Sequence, residues 1–482
     1  MRWITVVFIL LSSITYSQVI SVSGPNKVSS KTPRFAILGK NEQGIIVRRY
    51  GKTDTEIDIY NDRLDLEKTK TVHLGESAMI KSITLNASGA TAFYLEDGKE
   101  MSILYGRFLN SKFESSGKPV PIDTLTDVKG SAYDRWRFTS SQNRYYYMFY
   151  SKTYEEEAVK TVSINVVSRT LDTFHNATFE IKGDNMEFFE AIVNNDGDTW
   201  VILKEIEDKK ADPKPIDFEV HYFRADSNET GSYVLNSRNA VYGQPKVVID
   251  NLNSLLIFSG FANTPDSKGN PAAGGLLFRS VDPYTGREVA SGQQAFSKQF
   301  IYELTGLDTS RIENRVYTFK IRDIMQRVDG GALVITESEY SETNQDDFST
   351  YVSPGFSNFR TVTVFYFNDI VVFSISPKGS MEWQAILRKK QISEDDNGAY
   401  SSFTTMNTGD RLRFIYPVDI YSGADAGEYQ LFAQGKMARD ILFNQSEKDV
   451  MLIPKLSKQI TPRELLIPSY KKGSLRLVKI TY

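Results

Sequence analysis

The sequence predicts an all-β chain folded as a β-propeller of four-stranded blades. Three observations carry that expectation: a hairpin that recurs along the chain, return strands that are apolar on both faces, and scarce helical periodicity. The clearest hairpin runs from Phe188 to Glu205, FFEAIVNNDGDTWVILKE. Ala191-Ile192-Val193 forms the first strand, and Asn194-Asn195-Asp196-Gly197 supplies residues that tolerate positive φ in a tight turn. Thr199 to Leu203 returns. Side chains alternate along a strand, so Trp200 and Ile202 point to one face, Val201 and Leu203 to the other. With both faces apolar, the strand must be covered on both sides.

In chain order, an address comes first. Arg2 precedes the apolar run Ile4 to Leu11, and Thr15 and Ser17 place small residues before a cut at Gln18. Residues 1–17 therefore read as a secretory signal peptide and 18–482 as one propeller domain. No later stretch reaches the ~20 apolar residues of a membrane-spanning helix. Val19 to Ser23 is a lone strand. The opening hairpin then recurs with turn centres at 42, 88, 142, 196, 252, 329 and 408. A second hairpin follows in most units, clearest at Leu276 to Val289 and Val371 to Trp383, looser at Phe218 to Leu235 and Ile57 to Val72. Two hairpins per unit make a propeller blade. Glu155-Glu156-Glu157 and Ile312 to Val328 could hold only a turn or two of helix.

A sandwich would leave one face of each strand polar, and a parallel sheet would need crossover helices. Radially stacked blades satisfy the pattern. Seven blades is the expected count. The final hairpin, Leu465 to Ile480 around Lys471-Lys472-Gly473, either completes the seventh with the N-terminal strand or builds part of an eighth. In either case the terminal strands close the ring, which would otherwise leave unpaired edges.

Composition narrows the function. The 482 residues carry a formal net charge of −3, so no basic footprint points to nucleic acid. With no cysteine, disulfides, thiolate catalysis and Cys-based metal sites are excluded, and an exported chain of this size fits a Gram-negative envelope. His73, His175 and His221 are scattered, each in an expected strand, and read as structural. HExxH and GxSxG are absent, and Gly51-Lys52-Thr53 lacks the first P-loop glycine, Ile46 standing there. No catalytic residue, metal or cofactor is expected.

Several segments resemble known propellers. Asp196-Gly197-Asp198-Thr199-Trp200 looks like part of the Asp-box of sialidase-type propellers, one residue short. Asp282-Pro283-Tyr284-Thr285-Gly286 resembles the outer hairpin of quinoprotein-like propellers, including envelope scaffolds for outer-membrane protein assembly. Both imply blade turns. WQAILRKKQISEDDNGAYSS (Trp383 to Ser402) and Lys458 to Ile480 resemble an uncharacterised family of exported propellers from Bacteroidota-type Gram-negative envelopes, departing from it at Pro417-Val418-Asp419. That resemblance implies a propeller in the envelope and carries no activity.

Parity locates the working face. In a four-stranded antiparallel blade the second loop and the link to the next blade emerge on the face opposite the first turn. Ile206 to Asp217, Ala262 to Gly275, Tyr340 to Arg360 and Asp419 to Glu428 are long second loops, and Glu394 to Gly398 is a link. One face is therefore built up. The candidate binding residues are Asp346, Asp347, Phe348, Tyr351, Phe356 and Phe359 in the longest loop, with Lys389, Lys390, Asp395, Asp396 and Tyr400 beside it. Aromatics among adaptable polar residues suit a protein or glycan surface. The expected function is a non-catalytic docking scaffold or accessory subunit for an envelope or outer-membrane protein, periplasmic or outer-membrane-associated, with full secretion the other destination. The alternative is a glycan-binding or glycoside-cleaving propeller with carboxylates at its central funnel.

Overall fold

Each repeated unit folds as one antiparallel meander, and eight of them close a ring. A computed structural model describes residues 18–98, 101–126, 135–155, 158–183, 185–206, 217–236, 242–263, 273–306, 319–347, 359–420 and 425–482. Blades 1 to 7 begin at Arg34, Met79, Arg137, Met186, Tyr242, Phe319 and Thr404, each on the opening hairpin of a sequence repeat. Every opening turn is short, so the first two strands of a blade pair directly, with a register break in blades 1, 2, 4, 5, 6 and 8.

The eighth blade comes from both ends of the chain. Lys458–Thr461, Glu464–Lys471 and Ser474–Thr481 supply its inner three strands, and Val19–Val22 pairs with the last as the outer strand, Val19 opposite Thr481. Asn26–Lys27 adds a second short pairing, Asn26 opposite Leu475. The terminal hairpin thus builds a blade of its own, and the count is eight. Its turn is tight because Lys472 and Gly473 both sit at positive φ, 50° and 78°.

The alternation expected of Trp200 to Leu203 holds. Trp200 and Ile202 pack toward blade 5, Val201 and Leu203 toward blade 3, and all four are fully buried. The second strands of the other blades are likewise buried, Ile45-Ile46-Val47 in blade 1 and Phe414-Ile415-Tyr416 in blade 7 among them. Eight apolar clusters result, one at each junction between neighbouring blades. Covering both faces of a sheet by its neighbours is what makes the ring stable, since each buried large apolar side chain contributes ~1.5–3 kcal/mol.

Three local expectations change. Glu155 ends a strand and Phe319–Gln326 is one, so neither segment holds helix there. A helix, α1 (Lys298–Thr305), lies in the link from blade 5 to blade 6. The Ser297 hydroxyl caps its N-terminus by accepting from the Phe300 N–H, and Phe300, Ile301 and Leu304 plug the junction. His73 lies just past its strand, while His175 and His221 are within strands.

Candidate functional site

The described residues of the longest second loop are sheet. The second and third strands of blade 6 run Ala332–Asp347 and Phe359–Ile375, 16 and 17 residues, where the equivalent strands of blade 4 have 7 each. Their pairing continues unbroken from Glu339 opposite Phe367 to Asp347 opposite Phe359. The described residues of Tyr340 to Arg360 therefore form an arm of two strands. A third strand, Gln391–Glu394, pairs with Phe367 to Val364 of the arm. Asp395 extends that pairing, its backbone N–H donating to the Thr363 carbonyl and its carboxylate accepting from the Thr363 N–H, both at 2.9 Å. Tyr340 and Tyr366 stack across the arm with ring centres 4.4 Å apart and planes 9° from parallel.

A buried ionic cluster holds the base of the arm. Lys389 and Glu337 are both fully buried and lie 2.8 Å apart. Arg322 bonds the other Glu337 oxygen and also Glu339, and the Ser402 hydroxyl donates to Glu337 at 2.7 Å. The Lys389 ammonium also donates to the Phe367 carbonyl at 2.8 Å and to Gln391 at 3.0 Å. Gln391 in turn reaches the Pro417 carbonyl of blade 7 at 2.6 Å. Burial pushes the Lys389 ammonium below the ordinary lysine range, and Glu337 opposes that shift. Glu339 is desolvated too, yet Arg322 and Lys320 hold its carboxyl below the usual range.

The predicted binding residues thus separate. Lys389 is interior and spends its charge on Glu337, so it is not displayed on the face. The Asp396 carboxylate accepts from Ser393 and from the Gly398 N–H, both at 2.7 Å, and fastens the link. The Tyr400 hydroxyl donates to the Tyr470 carbonyl of blade 8 at 3.2 Å. Lys390 is exposed. Asp346, Asp347 and Phe359 lie on the paired outer end of the arm. Phe348, Tyr351 and Phe356 lie outside the described residues.

The two turn motifs meet each other. Asp198 accepts from the Ala225 N–H at 2.8 Å, from Asn194 at 3.0 Å and from the Tyr284 hydroxyl at 2.6 Å. The Trp200 indole donates to the Pro283 carbonyl at 2.7 Å. The Asp-box-like turn of blade 4 and the outer turn of blade 5 are therefore one inter-blade fastening.

The central channel shows what motif reasoning missed. A cavity of about 620 Å³ is lined by the inner strands of blades 3 to 6 and by Asn407 of blade 7. Glu190 and Asp323 are its carboxylates. Each follows a register break in its strand, between Phe188 and Glu190 and between Ile321 and Asp323, and each accepts from the next N–H, Ala191 at 3.1 Å and Ile324 at 2.9 Å. Such bulges re-aim side chains. Burial raises the Glu190 carboxyl above its usual range, against the Ala191 N–H and the Lys246 charge. Lys246 follows the equivalent break in blade 5 and donates to the Arg322 carbonyl at 2.7 Å. The available signal was a charge opening the apolar run of a first strand: Glu190 before Ala-Ile-Val, Lys246 before Val-Val-Ile, Asp323 before Ile-Met. Among the described residues, no group of three or more metal-ligating side chains forms.

No protein-family model matches this chain, and no curated protein matches it in sequence. Some solved structures are similar to it at low identity. An uncharacterised protein from Listeria monocytogenes EGD-e is similar at 12% identity and a TM-score of 0.36, over 86% of this chain and 97% of that one. A protein from Lactobacillus plantarum is similar at 11% and 0.35, over 85% and 97%. A prolyl endopeptidase is similar at 10% and 0.34, over 83% of this chain, which spans about half (54%) of the endopeptidase.

Proposed function

We propose that this protein is an exported, non-catalytic propeller that docks an envelope protein through the blade 6 arm. The observation that carries the reading is the arm itself, two strands roughly twice the usual length, footed on the Lys389–Glu337–Arg322 cluster. A docking element needs rigidity so that little ordering entropy is lost on binding. Three-stranded pairing at the base and a buried ionic foot supply it. A cut before Gln18 is compatible with the fold, since among the described residues the first paired position is Val19 and the outer strand of blade 8 stays intact. The resemblance of Trp383 to Ser402 to exported envelope propellers agrees with this destination. The partner class is an outer-membrane or periplasmic protein, such as a component of a secretion or assembly machine.

The test replaces residues 346–360 with a short Gly/Ser turn. Loop length alters closure free energy slowly, ~0.6 kcal/mol per doubling, and the pairing from Glu339 to Gln345 remains. The melting temperature should move by only a few degrees. Tagged wild-type protein drawn from envelope extracts in mild detergent should bring a stoichiometric membrane partner, and the shortened variant should not. Recovery of wild-type protein alone counts against the reading.

A second reading rests on Glu190 and Asp323 in the channel cavity, two carboxylates flanking Lys246 in a space large enough for a sugar. It calls for hydrolysis or binding of a polysaccharide that Glu190→Gln abolishes while partner capture persists.

A further inference from the structure

At the first-turn face, a second cavity of about 360 Å³ opens on the channel between the inner strands of blades 1, 2 and 8. Lys458 and Arg144 line it. Arg144 sits at the tip of the first turn of blade 3, at φ 57°, its N–H donating to the Ser141 carbonyl at 2.9 Å. Among the described residues Lys458 donates once, to the Leu38 carbonyl at 2.7 Å, where a register break leaves blade 1 without a ladder partner. An ammonium has three N–H donors, so two remain.

Two neighbouring carboxylates are already engaged. Asp62 pairs with Lys40 at 2.6 Å, and Glu464 lies 3.3 Å from Lys479 and 3.8 Å from Lys40. Glu42 is the one carboxylate lining the cavity, alongside Lys40, Arg144 and Lys458. Among the described residues neither Lys458 nor Arg144 has a carboxylate within ion-pair distance. Lys246 makes the contrast sharp. It bonds a bulge carbonyl of the next blade in the same way, but the Glu190 carboxylate lies near enough to feel its charge. Lys458 faces another cation instead. Burial and the Arg144 charge hold its ammonium down at about 8. Two like charges facing one cavity repel each other, and an anion between them relieves that repulsion.

We propose that this mouth binds a small molecule through an oxyanion, a carboxylate or phosphate group, held between the Lys458 ammonium and the Arg144 guanidinium. Arg supplies the planar fork and Lys the point charge that oxyanion recognition commonly combines. The site lies on the face opposite the arm and does not depend on the docking reading.

Calorimetric titration of the full mature chain tests it, with inorganic phosphate and with succinate at constant ionic strength set by sodium chloride. At least one anion should bind saturably at pH 7, and which one does so separates phosphate from carboxylate. Arg144→Gln, an exposed turn position, should weaken binding about tenfold or more, and Lys458→Gln similarly. Succinate affinity should also fall between pH 7 and 9 as Lys458 loses its proton; of the other charged groups near the mouth, Arg144, Glu42, Glu464, Lys40 and Asp62, the last two hold each other charged, Asp62 raising the Lys40 ammonium and Lys40 lowering the Asp62 carboxyl. If neither anion gives saturable heat, the proposal fails. It fails equally if binding is saturable but unchanged in Arg144→Gln, whatever the fate of the Lys458 variant, because the anion then sits elsewhere.

Discussion

The Tyr284 hydroxyl of blade 5 donates to the Asp198 carboxylate of blade 4 at 2.6 Å, joining the outer turn of one blade to the first turn of another. The Arg224 guanidinium lies over the same tyrosine ring, 4.6 Å from its centre. Burial and the Asp198 charge push the phenol above its ordinary range. Tyr284→Phe should therefore cost ~1–2 kcal/mol, a typical charge-assisted bond. Asp198→Ala should cost more, because the Asn194 and Ala225 donors also lose their acceptor. A double-mutant cycle by denaturant unfolding reads the coupling; coupling near zero would show that the hydroxyl contributes nothing.

The foot of the arm should respond asymmetrically. Lys389→Met leaves Glu337 buried with Arg322 and Ser402 only and should cost ~3–5 kcal/mol, as removal of one partner of a buried pair commonly does. Glu337→Gln strands the Lys389 ammonium, while Arg322 keeps Glu339. The double variant should recover part of the loss. Equal, additive losses in melting temperature would mean that the two charges do not interact.

Acid should destabilise the ring through His175. Its Nε2 lies 2.9 Å from the Gly197 carbonyl, its ring stacks 4.0 Å from that of Phe223, and burial depresses its pKa below the ordinary 6.5. The unfolded chain then takes up its proton at a higher pH than the folded one. Protonation favours the unfolded state, so stability falls as pH drops below 6.5. His221, also depressed by burial, adds to the slope. His175→Phe should remove up to ~1.4 kcal/mol per pH unit of that slope, and an unchanged slope between pH 6.5 and 5 would refute the assignment.

Closure should depend on both chain ends. The Tyr482 hydroxyl bonds Glu428 of blade 7, which is fully buried and 3.0 Å from Arg413, and Arg413 lies 3.8 Å above the Tyr482 ring. Removing residues 18–22 takes the outer strand from blade 8 and exposes its edge. The truncated protein should melt well below wild type and associate on gel filtration. Deleting Tyr482 alone should lower the melting temperature less, since Glu428 keeps Arg413 and Gln430. A truncation without effect would mean that the ring is held without its terminal pairing.

What the sequence determined by itself is local and periodic. Trp200-Val201-Ile202-Leu203 alternates because side chains of an extended chain must, and double apolar faces demand neighbours on both sides. The turn residues at Asn194 to Gly197 and the parity of a meander follow from backbone geometry alone, and these led to blades and a closed ring. The tertiary structure decided whatever required residues distant along the chain. Blade 8 exists because Val19 meets Thr481, a pairing no local pattern encodes. Lys389 looked like a surface lysine beside Lys390, but alternation turns one inward to Glu337 and leaves the other in solvent. Glu190, Asp323, Lys458 and Arg144 come from separate blades, and the ring alone brings them to a common axis. Periodicity reports which face of a strand is covered; only closure of the ring determines which charges share a space, because Coulomb interactions depend on distance through the fold.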